Sequence, residues 1–278
     1  MLFICSIRIT HVRHFARESM ACMDVSACSA NYTSLSAPAS TVRQPAENEN
    51  TGHPGDTFAV DALQQSLASA RKAVYFWGSL AATVVPGYFG RKVGLTENFH
   101  HWNFITDHLI LGAIPVVTRV GESGNHLAQL QSQLAQRGLK LGLVVACMEE
   151  VEIRGFGVSV ITFADKVAWR QHVGPELEYL HLPMADGTSD APFDDVASAV
   201  DKMHLRILEK KAVYVHCKAG KGRSWMVTVC YLTTYGGMTF QDACDMVSAI
   251  RVQVKPSESQ RAFAEAFARR MSQRGIVS

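Results

Sequence analysis

No two cysteines in this chain of 278 residues are spaced C-x-x-C, and the cysteine total is odd: Cys5, Cys22, Cys28, Cys147, Cys217, Cys230 and Cys244. That excludes paired-cysteine zinc sites and argues against a disulfide framework, so a reducing compartment is the default. Net charge is also scarce: 27 Lys and Arg against 25 Asp and Glu leave +2, with no concentrated basic stripe, so nucleic acid is not the expected partner. There is no internal repeat, and no G-x-x-x-x-G-K-[ST] run of the kind that cradles a nucleotide. With 47% hydrophobic and 19% charged residues, the composition excludes fibrous, collagen-like and wholly disordered chains. The length allows one or two domains and a sizeable core.

Lysine is missing from the start as well, where the arginines Arg8, Arg13, Arg17 and Arg43 are the only Lys or Arg before residue 71 and leave the segment Arg-rich among its charges. Residues 1–56 are Ser-rich and acid-poor up to residue 46, the composition of an organellar transit peptide. A disordered tail has the same look. Pro38, Pro45 and Pro54 make 37–56 a linker. A helix is expected from Asp56 or Thr57, with Val60, Leu63, Leu67 and Val74 at helical spacing. Ala73–Gly90 then carries no charge in eighteen positions, between Arg71-Lys72 and Arg91-Lys92. Eighteen residues of helix reach about 27 Å, just short of a ~30 Å hydrocarbon core. Pro86-Gly87 is expected to turn the chain back. Segment 57–97 therefore reads as a hydrophobic helix inserted in one face of a membrane, the alternative being a helix packed on the domain that follows. None of the candidate catalytic residues lies in it, so deleting 57–92 is expected to spare hydrolysis of a small soluble ester.

From residue 98 to 278 strand and helix signals alternate. Strands are expected over 107–115, 141–147, 179–182 and 212–215, and helices over 123–138, 191–210, 223–235, from Thr239 to about Arg251, and from Ser257 onward. Thr239 with Asp242 and Ser257 with Gln260 have the spacing of capping boxes. Continuous apolar strands such as 141–147 are the mark of a sheet covered on both faces. The pattern predicts an α/β domain with a central, mainly parallel sheet flanked by helices.

The chemistry is concentrated in His216-Cys217-Lys218-Ala219-Gly220-Lys221-Gly222-Arg223-Ser224, between an expected strand and an expected helix. A cysteine six residues before an arginine, with glycines between, suits phosphomonoester hydrolysis through a phosphocysteine. The backbone N–H groups of Lys218, Ala219, Gly220, Lys221 and Gly222 can curl into an anion nest at the positive end of the helix. The same field favours a thiolate, which makes Cys217 the candidate nucleophile. Arg223 offers a bidentate fork for two phosphate oxygens. Ser224 can donate to the sulfur when it leaves, and His216 is expected to fix the loop by hydrogen bonding. The leaving oxygen needs an acid, for which Asp186 is the first candidate and Asp190 the second, although Asp190 also suits a turn or cap. Such a reaction requires no metal and no cofactor. Lys218 and Lys221 favour a substrate with a second negative charge near the scissile phosphate. Cys147 closes strand 141–147 as Cys217 closes its own, so it is either a buried apolar cysteine or a thiol able to trap an oxidised Cys217.

These residues resemble the protein-tyrosine-phosphatase superfamily, in its dual-specificity branch. Beyond the loop, Trp102–Ile105, Leu109–Pro115 and Met148–Glu152 are similar to segments of the mitochondrial phosphatidylglycerophosphate phosphatases, and the likeness runs in order through about 60–275. It departs from them at Met148, where the family has Asn, and at Trp225, where it has a small residue. The resemblance implies that superfamily's α/β fold, removal of the terminal phosphate of phosphatidylglycerophosphate, and a place at the mitochondrial inner membrane, peripheral or monotopic. It carries the family's nucleophile, arginine and serine onto Cys217, Arg223 and Ser224, and its general acid onto Asp186. The implied partners are a phospholipid substrate and a membrane surface, with the oligomeric state unassigned. The loop lysines also match 3-phosphoinositide phosphatases, so a phosphoinositide or a phosphoprotein is the alternative substrate.

Overall fold

The computed structural model describes residues 54–92, 101–117, 125–158 and 161–273. The expected targeting segment and most of the linker lie outside these residues, as does the boundary near residue 98.

Helix α1 runs Pro54–Lys92, starting before the expected Asp56 or Thr57 cap and continuing through Pro86-Gly87 where a reversal was expected. Strands β1 (Trp102–Phe104) and β2 (Leu109–Ala113) precede α2 (His126–Gln136), β3 (Leu141–Ala146) and the short α3 (Glu150–Ile153). Then come α4 (Lys166–Val173), β4 (Glu178–His181), α5 (Phe193–Leu208), β5 (Ala212–Cys217), α6 (Arg223–Tyr235), α7 (Phe240–Ile250) and α8 (Glu258–Gln273). The five strands form one sheet in the order β1-β2-β5-β3-β4, parallel except for the β1–β2 pair. This is the mainly parallel α/β arrangement that the alternating signals predict.

β3 and β5 are buried along their whole length, because each lies inside the sheet with side chains on both faces covered. Alternate residues serve two cores. Leu109, Leu111, Val145, Val213 and Val215 pack with Val200, Met226 and Phe267 on one face. Ile110, Val144 and Tyr214 pack with Leu127, Leu130, Leu134 and Trp169 on the other. Register sets the functional end. Ala113 pairs with Cys217 on one side of β5, and Ala146 pairs with His216 on the other, so three strand ends meet where α6 begins. Ligands of parallel sheets collect at these carboxyl ends.

Among the described residues no helix is long and apolar enough to cross a membrane. Instead α1 contributes Phe76 and Leu80 to the first core, where they are 2% and 6% exposed. Leu63, Leu67, Val74 and Tyr75 stay exposed on the same helix. Deleting 57–92 would therefore strip two side chains from the core, contrary to the sequence expectation that the segment is dispensable for chemistry.

Candidate active site

The loop between β5 and α6 has its carbonyls tied on the outside. Lys218 O accepts from the Ile114 N–H at 3.4 Å, and Lys221 O from the Lys255 N–H at 3.0 Å. Ala219 O and Gly220 O accept from Arg251 Nη2 at 3.1 Å and Arg251 Nε at 2.8 Å. All peptides here are trans. Since C=O and the following N–H of a trans peptide point opposite ways, the N–H groups of Ala219, Gly220, Lys221 and Gly222 turn inward. That is an anion nest. Arg251 is 1% exposed and also donates to Asn103 Oδ1 at 2.7 Å, which locks the loop to β1. Burial pushes its pKa down to about 10.

Two glycines make this packing possible. Gly220 has φ +67, and a Cβ there would stand 2.6 Å from Arg251 Nη2 and from the Gly112 backbone. Gly222 has a negative φ; what it needs is room, because a Cβ would meet Gln260 Oε1 at 2.3 Å. Gln260, 2% exposed, accepts from the Ser257 N–H at 3.0 Å and donates to Thr188 O at 2.9 Å. It thereby joins α8 to the loop that carries Asp186.

Cys217 sits at the floor of this nest, 4% exposed. Burial alone would raise its thiol, but the Arg223 charge, the Ser224 hydroxyl and the backbone N–H groups of Ser224 and Lys221 together outweigh it and hold the pKa below the ordinary value. Ser224 Oγ donates to the sulfur at 3.2 Å. Next to it, Arg223 is 1% exposed and grips Glu152 with both Nη atoms, Nη2 lying 3.1 Å from Oε1. Nη1 also donates to Met184 O at 2.9 Å, and Nη2 lies 3.1 Å from Asp186 Oδ1. Its Nε, buried, has no hydrogen-bond partner, so one donor of the fork is uncommitted. Burial works against the Arg223 charge, yet Glu152, Cys217 and Asp186 more than offset it and raise its pKa.

Asp186 is shared between Arg223 and Lys218 Nζ. Burial pushes its carboxyl up, but Arg223, Lys218 and the Gly187 N–H together prevail and lower it. These neighbours thus favour Asp186 as a carboxylate. Asp190 is turned away from these groups, accepting from Thr188 Oγ1 at 2.6 Å and from the Ala185 N–H at 3.2 Å. Lys221 is half-buried, and its pKa falls, first through burial and then through Arg251 and Lys255. His216 is fully buried, and its interaction with the Cys217 backbone works against the effect of burial. Burial pushes its pKa down to about 3, which keeps it neutral. Cys147 lies beside this floor, its N–H donating to His216 O at 2.8 Å.

The structure therefore brings together Cys217, the loop 218–222, Arg223, Ser224 and Asp186. Glu152, Arg251, Gln260 and Ser79, whose Oγ accepts from Lys218 Nζ at 2.9 Å, were not among the candidate site residues of the sequence reading. Only Glu152 carried a signal, as one of three glutamates in four residues. Among the described residues no group of three or more His, Cys, Asp or Glu is placed to hold a metal ion.

The sequence matches the dual specificity phosphatase catalytic domain over residues 128–267. It is 28% identical to phosphatidylglycerophosphate phosphatase PTPMT2 of Arabidopsis thaliana over 218 residues, which is 78% of this chain and 82% of that one. Phosphatidylglycerophosphate phosphatase PTPMT1 of the same plant is 26% identical over 197 residues, covering 71% of this chain and 49% of the relative, so the chain spans about half of that protein. A crystal structure of PTPMT1 in complex with PI(5)P shares the fold, with a TM-score of 0.51, 20% identity, and coverage of 63% of this chain and 99% of that one.

Proposed function

The chain belongs to the dual specificity phosphatases and is a cysteine-dependent phosphatase, and from that premise we propose that its substrate is a lipid phosphomonoester, phosphatidylglycerophosphate, which it converts to phosphatidylglycerol. The observation that carries the lipid reading is the similarity to a phosphatidylglycerophosphate phosphatase over 78% of the chain, well beyond the phosphate loop. Lys218 and Lys221 support it, since they place positive charge beside the nest for a second phosphate.

In the proposed reaction the phosphoryl oxygens enter the nest and take hydrogen bonds from its N–H groups and from Arg223. The Cys217 thiolate attacks phosphorus, an S–P bond forms, and the P–O ester bond breaks. The leaving oxygen takes a proton from Asp186. A phosphate dianion in the nest offsets the charges of Arg223 and Lys218 and so raises the proton affinity of the Asp186 carboxylate, which takes a proton from solvent before giving it to the leaving oxygen. Water then attacks phosphorus, with Asp186 accepting its proton, and the S–P bond breaks to release inorganic phosphate. Ser224 stabilises the departing sulfur by hydrogen bonding.

The proposed setting is the mitochondrial inner membrane, with the protein peripheral or monotopic. Support comes from the Arg- and Ser-rich start of the sequence and from Leu63, Leu67, Val74 and Tyr75, exposed on α1 beside Arg71 and Lys72. Phosphate release should be compared on vesicles bearing phosphatidylglycerophosphate, on phosphoinositides and on a phosphotyrosine peptide. Preference for the first supports the reading, and preference for either of the others overturns it.

A further inference from the structure

We infer that helix α1 is a wall of the catalytic site and that Ser79 is a positioning residue for the Lys218 ammonium. The inference rests on the phosphatase reading above and adds a residue that the phosphate loop does not contain. Lys218 Nζ is buried and approached from several sides: by Asp186 Oδ2, by Ser79 Oγ at 2.9 Å, and by the rings of Tyr75 and Phe76 at 4.9 and 5.5 Å. Ser79 donates its hydroxyl hydrogen to Phe76 O at 3.1 Å and accepts from the ammonium. A lysine head on a flexible stem has no fixed direction of its own, and a buried ammonium needs partners. Asp186 alone is an unreliable one, because it passes through a neutral state in the proposed reaction. Ser79 and the two rings keep the ammonium in place throughout.

The helix is itself held in register. Phe76 meets Phe163 edge-on at 5.9 Å, Trp77 Nε1 donates to Gly155 O at 3.2 Å, and Lys72 lies 3.5 Å from Glu149. Those contacts tie α1 to the segment around Glu152, the partner of Arg223. So α1 touches Lys218 directly and packs on the segment that carries the partner of Arg223.

The test uses the full chain with Ser79→Ala, Ser79→Thr, Lys218→Met and the Ser79→Ala/Lys218→Met double variant. Two soluble esters serve as substrates: an alkyl phosphate, whose leaving oxygen needs a proton, and a dinitrophenyl phosphate, whose leaving group does not. Losing a hydrogen bond to a charged group should lower kcat on the alkyl ester about tenfold with little change in KM. The dinitrophenyl ester should be much less affected, Ser79→Thr should restore the rate, and Ser79→Ala should add nothing once Lys218 is Met. Wild-type rates in Ser79→Ala, equal losses on both esters, or the same loss in the Lys218→Met background would each overturn the inference while leaving the phosphatase reading intact. A wild-type chain without phosphatase activity would overturn both.

Discussion

Glu152 is the residue whose loss should reveal most about how the site is held. Its carboxylate, 3% exposed, meets both Nη atoms of Arg223, and Oε2 also accepts from the Glu149 N–H at 3.0 Å. Glu152→Gln keeps the volume and one acceptor, but it removes the charge and turns an amide N–H₂ toward donors. Removing one partner of a buried ion pair typically costs about 3–5 kcal/mol. Arg223 keeps Met184 O and the half-exposed Asp186, so the expected cost is smaller, about 2–3 kcal/mol. For a domain of this size that corresponds to a fall in Tm of roughly 5–10 °C. Carried over in full to the transition state, the same ~2–3 kcal/mol should lower kcat/KM by about 30- to 160-fold, since each 1.36 kcal/mol is a tenfold change in rate. Scanning calorimetry and steady-state kinetics on one soluble ester measure both. The Glu152→Gln/Arg223→Met double variant separates pair energy from packing. With no buried charge left unpaired, it should be at least as stable as Glu152→Gln, though inactive. A single variant within about 0.5 kcal/mol of wild type, or a double variant that loses the sum of two large penalties, would refute this account.

Because Arg223 and Ser224 together hold the Cys217 thiol below its ordinary value against the effect of burial, iodoacetamide should alkylate it faster at a given pH than it alkylates a free cysteine. Arg223→Met should move the alkylation midpoint up in pH, and an unchanged midpoint would remove Arg223 from that role. Asp186→Ala should slow hydrolysis of an alkyl phosphate by about 10²–10⁴. If Asp190→Ala has the larger effect, the acid has been misassigned. Burial pushes the Cys147 thiol far up, so it should remain protonated, and Cys147→Ser should recover from peroxide as wild type does. Poorer recovery, with a Cys147–Cys217 disulfide found by peptide mapping, would make the two strand ends a redox pair.

What the sequence revealed follows the reach of each interaction. The N-cap of α7 is Thr239 accepting from the Asp242 N–H at 3.2 Å, three residues away, and α8 opens on the equally local Ser257–Gln260 exchange. Those helices were legible because their start signals lie within one turn. The buried strands were legible because both faces are covered, and the phosphate loop because nucleophile, nest and arginine are consecutive. β1 was not, since three residues at a sheet edge carry no periodicity. Nor was α4, whose eight residues bury only Trp169. The missed residues share one property: Glu152 lies 71 residues from Arg223, Gln260 lies 72 from Thr188, and Ser79 lies 139 from Lys218. A single sequence gives the charge or hydroxyl but not the distant partner that makes it functional. The uncharged run 73–90 shows the same limit from the opposite side. Its apolar character fits a bilayer and a protein core equally well, and only the burial of Phe76 and Leu80 among the core side chains shows that part of it belongs to the core. Leu63, Leu67 and Val74 stay exposed on the same helix, so under the lipid reading proposed above one helix has two jobs: one face holds Lys218 and the other meets the membrane surface.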